Sequence, residues 1–163
     1  LPNVFIDRSS SDPSQRAAIA RLAANVGAAG GVVLFPEGTF HTAERAERAQ
    51  ARLRERDQER SERLATLRHV LPPRPGGVLA ALEGDPTADV HVIAHVGFEG
   101  MATMAELVGS VPLDQPVDVE IWRVARADIP TERHEQVRWL DDLWLRLDDW
   151  VDNAGRRRRG CAP

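Results

Sequence analysis

The feature that most constrains this chain is a four-residue apolar run, Val32-Val33-Leu34-Phe35, preceded by Gly30-Gly31 and closed by Pro36. So short a continuous apolar run, held between residues that break helices, predicts a buried strand. The flanking segments read as helices. Ser11-Asp12-Pro13 is a helix start, with a capping side chain just before a proline at the first helical position. Ala17, Ala18, Leu22 and Val26 then form an apolar stripe that ends at Gly30-Gly31. Residues 43–68 are rich in Ala, Glu and Arg and predict one helix, with Glu44–Arg48 and Glu59–Arg63 as i,i+4 pairs. Leu71-Pro72-Pro73-Arg74-Pro75-Gly76-Gly77 breaks it.

Beyond that break, residues 78–82 predict a short helix closed by Gly84-Asp85-Pro86. Residues 89–98 are strand-like, and residues 117–122 alternate apolar with polar, the pattern of a half-buried strand. Trp139, Leu140, Leu143, Trp144, Leu147, Trp150 and Val151 follow helical spacing, and Asp141, Asp142, Asp148, Asp149 and Asp152 form the opposite, polar face. A further short strand is expected at residues 3–8. Strands and helices in this order predict the α/β class.

The chain has 163 residues, enough for one compact domain with a core. Residues 1–153 are expected to form it, and residues 154–163, with Arg156 to Arg159, a disordered basic tail. A 42% apolar and 28% charged composition is that of a globular protein. The net charge of −4 argues against a nucleic-acid partner. Cys161 is the sole cysteine, so no internal disulfide and no cysteine-based structural zinc site can form. No run of 18 apolar residues is present to cross a membrane. The chain opens on Leu1 and reaches Val4-Phe5-Ile6 at once, so a piece of a longer protein is expected.

Phe35-Pro36-Glu37-Gly38-Thr39 carries the strongest chemical signal. Directly after a strand it offers a glycine that lets a ligand approach the backbone, together with a carboxylate and a hydroxyl. The bland reading is an ordinary turn. His91 and His95 would lie about 13 Å apart on a strand, too far to chelate one ion, and read as surface or satisfied core residues. The Arg-rich stretch 45–68 nearly balances its own acids and reads as a solvated helix face. The Trp-rich helix reads as core packing.

Phe-Pro-Glu-Gly-Thr is the hallmark of the glycerophospholipid acyltransferases. Three further segments resemble that family in order. Phe5-Ile6-Asp7-Arg8 looks like its phosphate-contacting strand. Residues 70–77, Val-Leu-Pro-Pro-Arg-Pro-Gly-Gly, resemble a segment of its lysophospholipid and lysocardiolipin branch, and Ile129-Pro130 with the Trp-rich helix resembles that branch's C-terminal end. The resemblance implies an incomplete acyltransferase-type sheet flanked by helices, lacking the N-terminal part of the fold. It implies acyl transfer from acyl-CoA or acyl carrier protein to a hydroxyl of a lysophospholipid or lysophosphatidate, at the cytoplasmic side of a membrane surface, without a metal or bound cofactor. Arg8 and Arg74 would grip the phosphate, and Glu37, Gly38 and Thr39 would line the acceptor site.

Two departures qualify that reading. The residue after Thr39 is often Arg in the family and is Phe40 here, which cannot bind phosphate and leaves the headgroup open. The family's catalytic motif is a His followed five residues later by Asp, the His serving as general base. Five residues beyond His41, His69, His91, His95 and His134 stand Ala46, Arg74, Val96, Gly100 and Trp139, so the motif is absent from this chain and is expected upstream of Leu1. His41, next to Phe40 and close to Glu37, is the one histidine placed to substitute for it. The alternative is a non-catalytic phospholipid-binding module of the same fold.

Overall fold

The computed structural model describes residues 13–27, 30–98 and 116–160. Among them are five α-helices and one two-stranded antiparallel sheet, a mixed α and β architecture. The helices are α1 (Pro13–Ala24), α2 (Ala43–Arg56), α3 (Gln58–Arg63), α4 (Pro75–Gly84) and α5 (Arg133–Gly160), with strands β1 (Val90–Val96) and β2 (Asp118–Val124) between the last two helices. The strand expected at residues 3–8, Arg8 included, lies outside the described residues, as does Cys161.

Leu79, Leu82, Ala94, Ile129, Leu140, Trp144 and Leu147 form the core, where α4, β1 and α5 meet. Each buried Leu contributes about 1.5–3 kcal/mol relative to an exposed one. The Trp-rich helix is therefore a core element, as its spacing predicts. No helix among the described residues is long and apolar enough to cross a membrane.

Helix α1 buries Ile19 and Ala23, and it crosses α4 at Gly84. A Cβ on Gly84 would stand 2.1 Å from the Ala20 carbonyl oxygen and 2.8 Å from the Ala20 Cα. Backbone cannot yield there as a flexible side chain would. Gly84→Ala is expected to push the helices apart and cost about 1–3 kcal/mol, the usual range for overpacking, read as a lower midpoint in urea unfolding.

Several expectations need correction. Residues 32–35 form no strand among the described residues, and their burial alternates, with Val32 and Leu34 half-buried between exposed neighbours. Val33 is 76% and Phe35 82% exposed, so the run is not buried on both faces. The helix expected over residues 43–68 breaks at Asp57. That residue leaves helical geometry, sends its N–H to the Leu53 carbonyl, and accepts the Arg60 N–H on its side chain at 3.0 Å, capping α3. Strand β2 forms, but its apolar side faces out. Val119 and Ile121 are exposed beside Ile93, while Glu120 and Trp122 lie on the other face. Glu120 is accommodated there by the indoles of Trp122, whose Nε1 donates at 2.5 Å, and Trp150.

Two more corrections concern α5. Its acids do not all lie on a solvated face, because Asp141 and Asp148 are buried. Nor does a disordered tail begin at residue 154, since the helix runs on to Gly160 with Ala154 fully buried. Ion pairs from Arg156 to Asp152 at 2.7 Å and from Arg158 to Asp118 at 3.6 Å anchor this last stretch.

Candidate functional site

The Phe35–Thr39 segment makes a tight turn. Gly38 N–H donates to the Phe35 carbonyl at 2.9 Å, with Pro36 and Glu37 at the centre. Proline presets the backbone angle for the first central position, and Gly38 adopts a left-handed φ of 73° that other residues occupy only at a cost. Two hydrogen bonds join this turn to the segment before α4. Leu71 N–H donates to Glu37 Oε2 at 2.9 Å, and Arg74 N–H donates to the Pro36 carbonyl at 2.9 Å.

Arg74 then lies against the turn. Its guanidinium carbon sits 3.5 Å from where a Cβ on Gly38 would be, so the planar cation rests in van der Waals range of this glycine, whose left-handed φ and not lack of space is what disfavours a side chain. Arg74 is exposed and makes no ion pair among the described residues. The structure thus brings together Glu37, Gly38, Thr39 and Arg74, four of the five residues singled out in the sequence. Arg8 lies outside the described residues.

Glu37 braces the site from below. Burial pushes its carboxyl up. The Leu71 N–H and the Trp144 indole pull it back down, and the Asp148 charge adds to the rise. The Trp144 Nε1 faces this carboxylate without closing a hydrogen bond of ordinary geometry. The net shift is upward, so the folded state favours the protonated acid. That contribution to stability is complete below the ordinary Glu value of 4.5 and is lost as pH rises through the raised folded value. Glu37→Gln keeps an acceptor for Leu71 and removes the buried charge. It is expected to be more stable than the parent at pH 7, with the gap closing on acidification, as thermal unfolding at several pH values would show.

The loop beneath is held by α5. Asp148 Oδ1 accepts the N–H groups of Arg68, His69 and Val70 at 3.0, 2.6 and 3.1 Å. Farther along the helix, His69 Nε2 lies 3.1 Å from Asp152 Oδ1, and Arg68 and Arg156 reach the same carboxylate at 3.3 and 2.7 Å. Burial works to raise Asp152, but hydrogen bonds from Arg156 and His69 and the charges of Arg156 and Arg68 outweigh it and hold the carboxyl low. A His held by an Asp is the arrangement of a general base. Here two guanidiniums share the carboxylate, which makes the pair part of a structural charge network. His41 is lowered by burial and by the neighbouring His69, against the opposing pull of Asp148.

A second buried pair sets the position of the Pro-rich segment. Arg60 binds Asp141 through Nε, at 2.9 Å to both carboxylate oxygens, and through Nη2 at 2.6 Å, and it donates to the Pro73 carbonyl at 2.6 Å. None of these braces stood out in the sequence. The available signal was the spacing of Asp141, Asp148 and Asp152, which repeats in phase with the apolar stripe of Leu140, Trp144, Leu147 and Val151 and so shares its buried flank.

His91 and His95 are exposed on the outer face of β1. No group of three or more His, Cys, Asp or Glu among the described residues is placed to hold a metal ion. In comparisons with models of known families, with curated proteins and with solved structures, nothing matches this chain.

Proposed function

We propose that this chain is the acceptor-binding part of a glycerophospholipid acyltransferase. In this reading a phosphate-bearing lysolipid, a lysophosphatidate or lysophospholipid, sits at the Glu37-Gly38-Thr39 turn with its phosphate on Arg74. Its free hydroxyl attacks the carbonyl carbon of an acyl thioester, acyl-CoA or acyl carrier protein. The C–O bond forms, the C–S bond breaks, and the thiol leaves with the proton that a general base removed from the hydroxyl. That base is the His of a His-x4-Asp pair outside these 163 residues. Membrane association follows from the acceptor, which resides in bilayers.

The observation that carries the reading is the meeting of two motifs far apart in the chain. Arg74 lies flat against Gly38, and the Leu71–Glu37 and Arg74–Pro36 bonds hold it there. An exposed guanidinium without an acidic partner among the described residues, beside a left-handed glycine, suits a phosphate that must come close to the backbone. Segment 32–35, without a strand partner among the described residues and with Val33 and Phe35 exposed between half-buried Val32 and Leu34, fits a strand of a larger acyltransferase-type sheet.

Binding of lysophosphatidate and of a phosphate-free monoacylglycerol of the same chain length, both in detergent micelles, tests this reading. The chain is expected to prefer the phosphate-bearing lipid. Arg74→Ala should reduce that preference about tenfold or more, since a hydrogen bond to a charged group contributes about 1.5–3 kcal/mol. Equal affinity for both lipids would refute the reading. A second reading, a non-catalytic phospholipid-binding module, is favoured by the absence of Asp five residues after any of the five histidines. Thiol release from acyl-CoA separates the two: an enzyme, once the chain carries its upstream His and Asp, releases thiol only with acceptor present, and a binding module never does.

A further inference from the structure

We propose that Arg45 is a second phosphate-binding group of this site, reaching from α2 to serve together with Arg74. The proposal rests on the acceptor-site reading above and adds to it the residue that compensates for Phe40. The ligand chemistry is a phosphate monoester, whether on a lysolipid headgroup or free.

Three observations carry it. The Arg45 guanidinium carbon lies 4.1 Å from the centroid of the Phe40 ring, and Arg45 Nη1 donates to the Phe40 carbonyl at 3.3 Å. Stacking uses the flat face of a guanidinium and leaves its edge free, so four of the five N–H donors remain available to an anion. Second, Arg45 makes no ion pair among the described residues, whereas Arg48, one turn farther along the same helix, is bound to Glu44 at 2.6 Å. Third, Phe40 stands two residues after Gly38, against which Arg74 rests. Two cations with no ion pair among the described residues therefore stand beside the segment Gly38–Phe40, Arg74 against Gly38 and Arg45 against Phe40.

Phe40 thus acquires a role of its own. It contributes no donor, but its ring fixes the plane of Arg45, and an arginine held in one orientation loses less side-chain freedom on binding than a mobile one. Arg45 stands in the first turn of α2, where Thr42 caps its N–H at 3.2 Å, and alanine there retains good helix propensity. The obvious variant is accordingly expected to fold.

Binding of the whole chain is measured for three probes: inorganic phosphate, lysophosphatidate in detergent micelles, and monoacylglycerol in the same micelles. Arg45→Ala is expected to weaken lysophosphatidate about tenfold, to weaken inorganic phosphate by a similar factor, and to leave monoacylglycerol unchanged. Arg45→Lys and Phe40→Leu should each fall between parent and Arg45→Ala, because one keeps charge without the stacked plane and the other keeps Arg45 without its platform. Arg45→Ala binding lysophosphatidate like the parent, while Arg74→Ala loses affinity, would overturn the role of Arg45 and leave the acceptor site standing. Loss confined to inorganic phosphate would support Arg45 as a phosphate ligand and refute its action on the lipid. A parent chain indifferent to phosphate on either probe would remove both this inference and the acceptor-site reading.

Discussion

Replacing Arg60 with methionine is expected to destabilise the fold by about 3–5 kcal/mol, the range for removing one partner of a buried ion pair. Asp141 is wholly inaccessible to solvent, and Arg60 supplies three of its hydrogen bonds. Without Arg60 the carboxylate would retain, among the described residues, only Arg63, whose Nη1 lies 3.3 Å away. A buried charge with one long contact cannot recover what it lost in leaving water. Deleting both partners acts differently, since no charge is then stranded. Arg60→Met combined with Asp141→Leu should therefore be less damaged than Arg60→Met alone, although Pro73 loses its donor in each. Urea unfolding of the two single variants and the double variant reads this directly as shifts in midpoint. A single variant within about 1 kcal/mol of the parent would show that the Asp141 site relaxes or takes up water. The effect also reaches the candidate site, because the Arg60–Pro73 bond fixes the residue just before Arg74.

What the sequence revealed and what it concealed divide along a physical line. Local signals were legible: Pro13 at the start of α1, the i,i+4 pairs Glu44–Arg48 and Glu59–Arg63, and the apolar stripe of α5 all stand as their residues predict, whereas α4 starts at Pro75, inside the segment read as a break, and not at residue 78. The adjacency of Arg74 to the Glu37-Gly38-Thr39 turn was expected from resemblance alone, and in the structure the two segments do meet. Long-range pairing was not legible. An Arg-rich, Glu-rich helix looks solvated until Asp57 breaks it and turns Arg60 toward a carboxylate 81 residues away. Alternation in residues 117–122 located β2 but not its orientation, because Glu120 is held by two indoles. The apolar run 32–35 predicted burial, and Val33 and Phe35 are exposed because no neighbouring strand among the described residues covers them. Periodicity reports what a segment could bury, not what is there to bury it against.

Asp148→Ala is expected to produce the second large loss, about 3 kcal/mol, and to act on the site from a distance. A single oxygen of this 3%-exposed side chain accepts the N–H groups of Arg68, His69 and Val70. Each donor left without a partner costs about 1–3 kcal/mol, moderated where water can enter. Asp148→Asn keeps a carbonyl oxygen in place and should lose about half as much, because hydrogen bonds to a neutral acceptor are roughly half as strong as those to an ionised one. The next residue in the loop is Leu71, whose N–H holds Glu37, and Arg74 follows three residues later. A slack loop would release both, so Asp148→Ala should also weaken the preference for lysophosphatidate while Asp148→Asn retains most of it. The Asn variant further separates charge from geometry. Asp148 raises His41 against the lowering effects of burial and His69, so removing only the charge should move the His41 titration to lower pH. Proton NMR of the His41 ring reads that shift. If Asp148→Ala unfolded at the parent's midpoint, the three amides would have found other acceptors, and this carboxylate would no longer explain how the loop holds the turn.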